Sequence, residues 1–183
     1  QVVPAVGCTE PMAVALCTAR ATELLGQRPE HISVLLSANI LKNAMGVGIP
    51  GTGMIGLPIA IALGALVGKS EYQLEVIKDL TPVTLEAGKT FISENRIDVK
   101  LKDGITEKLY IEITCEAEGH RATAIIMGTH TNIVFEEKDG TVLLDKMQPS
   151  TAAVEKVPLC LNLNTVWEFA TTTPVDEIEF ILE

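Results

Sequence analysis

The sequence has little positive charge, and this lack narrows the classes of partner that it can bind. Its 14 Lys and Arg residues are outnumbered by 24 Asp and Glu residues, which leaves a net charge of −10. Nucleic-acid backbones and anionic membrane surfaces attract proteins through Lys and Arg, so we expect neither partner. The remaining composition, with 47% hydrophobic and 21% charged residues, is typical of a globular protein.

Long apolar runs and closely spaced cysteines are lacking as well. The longest run without a charged residue, 43–68, contains the apolar stretch Leu57–Val67, which is about half as long as the roughly 20 residues that a membrane helix needs. No signal peptide and no CxxC spacing are visible. We therefore predict a cytoplasmic protein with free thiols and no membrane span. The cysteines are Cys8, Cys17, Cys115 and Cys160.

Cys8 has the most distinctive position of the four. The segment QVVPAVGCTEP places it directly before a predicted helix over residues 9–26, with Thr9 as the N-cap and Glu10 and Pro11 in the first turn. The positive end of a helix macrodipole favours the thiolate, which is the form that binds metals or attacks electrophiles. Cys8 is therefore the candidate metal ligand.

The periodicity of the apolar residues predicts an α+β fold, in which helices, one of them buried and apolar, accompany an antiparallel β-meander. The predicted helices are 9–26, Leu57–Val67 and Leu80–Arg96, and the predicted strands are a lone His31–Ser37 and about five meander strands within 97–145. Asp139-Gly140 is a strong hairpin signal. Cys17 and Cys115 follow the apolar pattern of a helix and of a strand, so we predict that both are structural.

Three parts are expected along the chain. Residues 1–96 form a mostly helical part, residues 97–148 form the meander, and residues 149–183 hold a connector and C-terminal helices. In the last part, Thr165 and Glu168 predict a capping box for a short helix.

The two ends of the sequence suggest a piece of a longer protein. It begins with Gln1, not Met, and ends inside a predicted amphipathic helix that Thr173-Pro174 opens. The apolar stripe Val175–Leu182 of that helix is expected to pack on a missing second half or on another copy, as in a homo-oligomer.

A glycine-rich loop, KNAMGVGIPGTGMIG, covers Lys42–Gly56. Its exposed backbone N–H groups are suited to cradle an anion such as a carboxylate, and the alternative is a tight structural loop beneath the apolar helix. The spacing Gly46-x-Gly48-x-x-Gly51 matches a dinucleotide fingerprint, and 64–70 resembles a shortened P-loop. Neither match lies between a strand end and a helix start, where phosphate binding needs it. No GxSxG nucleophile motif occurs.

Three segments together resemble a known family. VVPAVGCTEP, KNAMGVGIPGTGMIGLPIA and GTHTNIV, in this order, resemble the L-cysteine desulfidase family, whose uncharacterised members are related to the α chain of iron–sulfur L-serine dehydratase. The resemblance runs from Val2 to about Glu183 and implies the N-terminal half of a longer protein. It also implies a lyase with a four-iron four-sulfur cluster. Such a lyase converts L-cysteine to pyruvate, ammonia and sulfide, or L-serine to pyruvate and ammonia.

In the family pattern the cysteine of GCTEP is a proposed cluster ligand, and Cys8 stands at that position. The remaining ligands are expected from the missing C-terminal half, so we expect the fragment alone to be inactive. Our own hypothesis, separate from the family pattern, is that the glycine-rich loop holds the carboxylate of a small amino-acid substrate. The nominated substrate-binding residues are Lys42, Asn43, Gly51, Thr52, Gly53, His130 and Asn132, and the catalytic base is not identified.

Two alternatives remain open at this stage. One is a non-catalytic domain that binds or senses a small molecule, with Cys8 as a buried thiol. The other is a nucleotide-binding enzyme that uses the glycine-rich loop.

Overall fold

A computed structural model of the chain describes residues 4–147 and 162–177. Residues 4–147 belong to one compact unit and residues 162–177 to a second. The second unit contains α5 (Leu163–Thr172). The first unit contains, in chain order, α1 (Thr9–Leu25), β1 (His31–Leu36), α2 (Ala38–Ala44), β2 (Gly48–Ile49), β3 (Met54–Ile55), α3 (Leu57–Leu66), a 3₁₀ segment (Ser70–Glu75), α4 (Pro82–Ser93), β4 (Ile97–Leu101), β5 (Tyr110–Ala117), β6 (His120–Met127), β7 (Ile133–Lys138) and β8 (Thr141–Asp145).

Among the described residues, six strands form one sheet in the order β4-β1-β5-β6-β7-β8. β1 and β4 are parallel, and all other neighbours are antiparallel. Helices together with a largely antiparallel sheet confirm the predicted α+β class. The predicted hairpin turn is also present, since Asp139 and Gly140 have φ values of 49° and 79°, as a two-residue type I′ turn requires.

The prediction of a five-stranded meander is wrong in one respect. Of the strands that the structure describes, only β5–β8 follow one another as neighbours, because β1 lies between β4 and β5. A parallel β1–β4 pair needs a long crossover, and the helices α2, α3 and α4 between these strands supply it. Alternation in Ile97–Leu101 marks a strand correctly but contains no information about its partner.

The core lies between the sheet and the helices. α1 packs on β5 and β6, α3 packs on α1, and α4 packs on α3. The expected burial of the apolar helix is confirmed, because all of Ile59–Gly64 is buried. α1 and α3 approach so closely at Gly64 that a Cβ there would lie 2.5 Å from the carbonyl oxygen of Ala15.

The segment before α3 is more ordered than a loop. The sequence interpretation missed α2, whose last turn contains Lys42 and Asn43. The glycine-rich residues that follow form a small hairpin, in which Gly48 pairs with Ile55 and Ile49 with Met54. A seven-residue helix and two-residue strands are too short to produce a clear periodicity.

The starts of α4 and α5 are both capped by polar side chains. Thr81 caps α4, accepting a hydrogen bond from the Thr84 N–H. In α5, however, the cap is Asn162, whose Oδ1 accepts from the Thr165 N–H at 3.0 Å, so Thr165 lies inside the helix and does not open it. Cys160, the connector up to residue 161 and the last predicted helix from residue 178 onward lie outside the described residues.

Candidate functional site

Cys8 occupies the N-cap position of α1. Its backbone is extended, with φ −69° and ψ 134°, and the helix begins at Thr9, which corrects the prediction that Thr9 is the cap. The half-buried thiol donates a hydrogen bond to the Oε2 atom of Glu10 at 3.0 Å. A cysteine therefore stands at the helix start with a carboxylate as its immediate partner.

The charge state of this thiol differs from the expectation. Partial burial raises the pKa of Cys8, and the hydrogen bond to the Glu10 carboxylate raises it further. Conversely, the bond from Cys8 is the main reason that the pKa of Glu10 is lowered. Burial and the neighbouring carboxylate both oppose a negative charge on the sulfur, at a position where the helix dipole favours one. The isolated site thus holds a thiol and a carboxylate, and the predicted thiolate is wrong for this state.

Glu10 is a site residue that the sequence reasoning missed. Besides Cys8, its Oε2 accepts from the Thr9 hydroxyl at 3.2 Å, and its Oε1 accepts from the Asn43 side-chain amide at 3.4 Å. Glu10 thereby joins the GCTEP segment to the end of α2. The only local signal was a glutamate two residues after Cys8, which the sequence interpretation had assigned simply to the first turn.

The glycine-rich hairpin also lies against the cysteine segment. A Cβ on Gly7 would be 2.7 Å from Cγ of Pro50, so the residue before Cys8 packs directly on the hairpin turn. Gly51 and Gly53 have φ values of 76° and 66°, which only glycine adopts easily. Both glycines are therefore required by the turn itself, which favours the structural reading of the loop.

Thr52 is committed to the same turn. It is buried, its hydroxyl donates to the Ile49 carbonyl at 2.7 Å, and it accepts from the Met54 N–H at 2.9 Å. Lys42 and Asn43, in contrast, are exposed. Of the nominated loop residues, the structure joins Asn43 to Cys8 through Glu10 and places Thr52 in a structural role.

The other nominated pair, His130 and Asn132, lies in the connection between β6 and β7. The Asn132 amide donates to the Met127 carbonyl at 2.9 Å, which closes this connection. Lys138 at the far end of β7 bonds the Leu25 carbonyl at the end of α1, so the start of β7 lies toward the start of α1. Within residues 4–147, however, no hydrogen bond joins this pair to Cys8 or Glu10.

An open cleft of about 470 Å³ adjoins the cysteine segment on the side of Val6. Its walls are mainly apolar, and Lys78 is its one charged lining residue among the described residues. The cleft is lined by Val6, Pro50, Gly51, Ile77, Lys78, Leu80, Thr81, Pro82 and Leu85. Volume and composition are those of a small-molecule site.

The remaining described cysteines are structural, as predicted. Cys17 is fully buried and donates to the Ala124 carbonyl at 3.3 Å, and burial raises its pKa strongly. Cys115 is also buried, and burial raises its pKa to about 12. Cys17 lies roughly 13 Å beyond Cys8 along the helix axis. In the described part of the chain, no group of three or more His, Cys, Asp or Glu side chains is arranged to hold a metal ion.

The two nucleotide-like motifs lie in unsuitable surroundings. Gly48 and Gly51 of the dinucleotide pattern lie in the β2–β3 hairpin, which is not a connection from a strand of the main sheet to a helix. In the P-loop-like segment, Lys69 pairs with Asp79 at 2.6 Å, and the Ser70 N–H and hydroxyl both donate to Glu23. These groups already have partners within the protein.

Known proteins similar to this chain carry the name UPF0597, which states no activity or ligand. A UPF0597 protein of Bacteroides fragilis is 65% identical over 183 residues, which cover 100% of this chain and 43% of that protein. One of Bacteroides thetaiotaomicron is 62% identical over 183 residues with the same coverage. One of Aeromonas hydrophila is 44% identical over 186 residues, covering 100% of this chain and 42% of that protein. No family model matches the sequence.

The chain therefore spans less than half the length of the relatives that it matches. Within residues 4–147 and 162–177, no helix has both the length and the apolar character needed to cross a bilayer.

Proposed function

We propose that this chain is part of an iron–sulfur lyase that eliminates the β-substituent of L-cysteine or L-serine. The observation that supports this proposal most directly is that two of the three segments that resemble the desulfidase family, the GCTEP segment and the glycine-rich segment, both contact the carboxylate of Glu10. Glu10 accepts hydrogen bonds from Cys8 and from Asn43, which are 35 residues apart in the sequence. A thiol, a carboxylate and an amide at one surface corner are groups that can bind and deprotonate a small amino acid.

The described residues do not by themselves fit a four-iron four-sulfur cluster. Such a cluster needs about three or four thiolates, and only Cys8 among the described cysteines is accessible to solvent. In this proposal Cys8 supplies one ligand, and the further ligands come from the additional length that the relatives have.

Within the proposal, Glu10 has two tasks. Its carboxylate orients the Cys8 thiol through the 3.0 Å contact, and it holds the Asn43 side-chain amide beside the thiol through the 3.4 Å contact. Asn43 provides an amide N–H₂ group and Lys42 a cation on the last turn of α2 for the substrate carboxylate. Gly51, Thr52 and Gly53 then support this corner by shaping the hairpin, and His130 and Asn132 remain predicted substrate contacts without a link to it.

The first test uses the intact protein, purified without air. We expect iron, acid-labile sulfide and release of pyruvate from L-cysteine or L-serine, all lost on Cys8→Ala. Cys17→Ala is the matched control, because it removes a buried thiol of the same helix and should keep the iron content per folded molecule. An intact protein without iron that still turns over its substrate would contradict the proposal.

A second test concerns substrate binding. Lys42→Met removes the cation proposed for the substrate carboxylate and should raise KM markedly with little change in kcat. Lys89→Met, an exposed lysine on α4 that pairs with Glu86, is the control and should leave KM unchanged. An unchanged KM in the Lys42 variant would remove Lys42 from the site.

A non-catalytic small-molecule-binding domain is the second candidate, and the cleft beside Val6 favours it. Leu85→Trp should fill part of this volume of about 470 Å³. If the cleft is a regulatory site, calorimetry on the intact protein should detect an amino acid that binds the wild type but not this variant. Binding that is unaffected by the tryptophan would dismiss the cleft.

A further inference from the structure

β4 is an edge strand with an outer side that no other described strand covers. The Ile32 N–H donates to the Arg96 carbonyl, and the Lys102 N–H donates to the Leu36 carbonyl, at 2.8 and 2.9 Å. Because backbone groups alternate in direction along a strand, the N–H and C=O groups of the odd-numbered residues of β4 point away from β1. These residues are Ile97, Val99 and Leu101.

The charge pattern of β4 is complementary to itself. Consider an antiparallel pair of two β4 strands centred on Val99. Val99 then forms backbone hydrogen bonds with Val99 of the second copy, and Ile97 does so with Leu101 of the second copy. Asp98 then lies opposite Lys100 of the other copy on both sides of the centre. These are the pairs without backbone hydrogen bonds, in which the Cα atoms come closest, at about 4.5 Å. Within one chain Asp98 and Lys100 form an ion pair, so both charges already lie on the same face of the strand.

Apolar surface continues from this edge. Val99 lines a cleft of about 290 Å³ together with Leu41, Met45, Ile55, Gly56, Leu57 and Pro58. The side chains of Met45 and Ile55 at its rim are 61% and 67% exposed. A twofold axis normal to the sheet keeps both clefts on the same face, one on each side of the shared β4 edge.

The opposite edge of the sheet lacks this complementarity. β8, Thr141–Asp145, has a single charged residue, Asp145, and an antiparallel pair centred on Leu143 places it opposite Thr141. The register of β8 against β7 also shifts between Glu136 and Glu137, and such irregularities hinder edge pairing. The two edges therefore differ in charge complementarity: β4 places opposite charges face to face across a twofold pair, and β8 does not.

We propose that β4 pairs with β4 of a second copy of this chain, antiparallel and centred on Val99, so that one continuous sheet extends across a twofold dimer. This inference is independent of the proposed lyase activity. It predicts a dimer of the intact protein whose association depends on opposite charges at positions 98 and 100.

Two single charge reversals test the pairing. Asp98→Lys places two lysines opposite each other at both contacts, and Lys100→Asp places two aspartates there. Each variant alone should lose the β4 contact and sediment at half the mass of the wild type, with at least a tenfold weaker association. An equimolar mixture restores Lys opposite Asp at both contacts, so native mass spectrometry should show the heterodimer in preference to either homodimer.

A backbone variant provides a second measurement. Val99→Pro removes the central outward N–H but none of the groups that bond β1, and proline is tolerated on a strand edge in this orientation. It should give a folded protein of half the mass, whereas the control Val99→Thr keeps the N–H and should remain dimeric. A wild type that sediments as a monomer, single reversals that keep the wild-type mass, or a mixture without heterodimer would each overturn the proposal.

Discussion

The N-cap of α1 and the middle of the same helix hold cysteines in different environments. Cys8 is half-buried and donates to a carboxylate, whereas Cys17 is fully buried and donates to the backbone carbonyl of Ala124. Burial is the largest cause of the raised pKa in both, but only Cys8 has a charged partner that a ligand or another part of the protein can displace.

This contrast shows that position on a helix does not by itself decide the chemistry of a thiol. Cys8 stands where the macrodipole favours a thiolate, and its neighbour Glu10 nevertheless favours the thiol. Reactivity of Cys8 therefore depends on its burial and on the Glu10 carboxylate, and not on the helix dipole alone. In the middle of the helix, Cys17 bonds a backbone carbonyl and no carboxylate, and burial is the main cause of its raised pKa.

The largest expected effect comes from disrupting the buried contact between α1 and α3. Gly64→Ala places a Cβ 2.5 Å from the Ala15 carbonyl oxygen, so α3 must move away from α1, and we expect a loss of about 3 kcal/mol in the free energy of unfolding. Urea denaturation of the intact protein measures it. Gly46→Ala is the control, because a Cβ there meets no atom within 4 Å and should change stability by less than about 0.5 kcal/mol. Equal effects of the two changes would show that the close contact is not a constraint.

A smaller effect is expected from replacing each of the two cysteines by serine and comparing the loss of stability. Cys17→Ser puts a more polar group among buried apolar neighbours, which should cost about 1–2 kcal/mol even if the hydroxyl bonds the Ala124 carbonyl. Cys8→Ser keeps a donor for Glu10 at a half-exposed position and should cost less than about 0.5 kcal/mol. Denaturation curves of the two variants measure the difference, and a larger loss at Cys8 would reverse the assignment of structural and functional thiols.

Much of the fold could be predicted because it depends on local patterns. The alternation of Leu109–Cys115 and the Asp139-Gly140 turn identify strands and a hairpin without tertiary information. The uniformly apolar Leu57–Val67 indicates a buried helix for the same reason. The parallel pairing of β1 with β4 could not be predicted, since 65 residues separate Ile32 from Ile97 and other strands also offer an alternating face.

The candidate site was predictable only in part. Cys8 was identified from its place before a helix, but its partner Glu10 acquires its role through Asn43, which is distant in the sequence. The direction of the pKa shift depends on that partner and on burial, which no local pattern contains. Thr52 was nominated for the substrate because a hydroxyl in a glycine-rich segment suggests binding, and the turn uses that hydroxyl itself.

The smallest expected effect concerns the pH dependence of the contact between Cys8 and Glu10. Its pKa is raised, so the stabilisation from the thiol–carboxylate contact is present below the ordinary thiol pKa and is lost as pH rises through the raised value. The pKa of Glu10 is lowered, so the same contact is lost at the acidic end as pH falls through that lowered value. Between these limits Cys8 should react slowly with iodoacetamide.

Glu10→Gln removes the negative charge and should lower the pKa of Cys8, so that its alkylation near pH 8 becomes severalfold faster and the pH–rate profile shifts to lower pH. Quantifying the Cys8 peptide by mass spectrometry measures the rate, with Cys17 as the internal control that stays unreactive while the protein is folded. Thr9→Ala is the matched variant, because it removes the hydroxyl bond to Glu10 but leaves the carboxylate, and should keep a profile close to that of the wild type. An unchanged profile in the glutamine variant would mean that burial alone sets the charge state, and the two cysteines of α1 would then differ in exposure but not in electrostatic control.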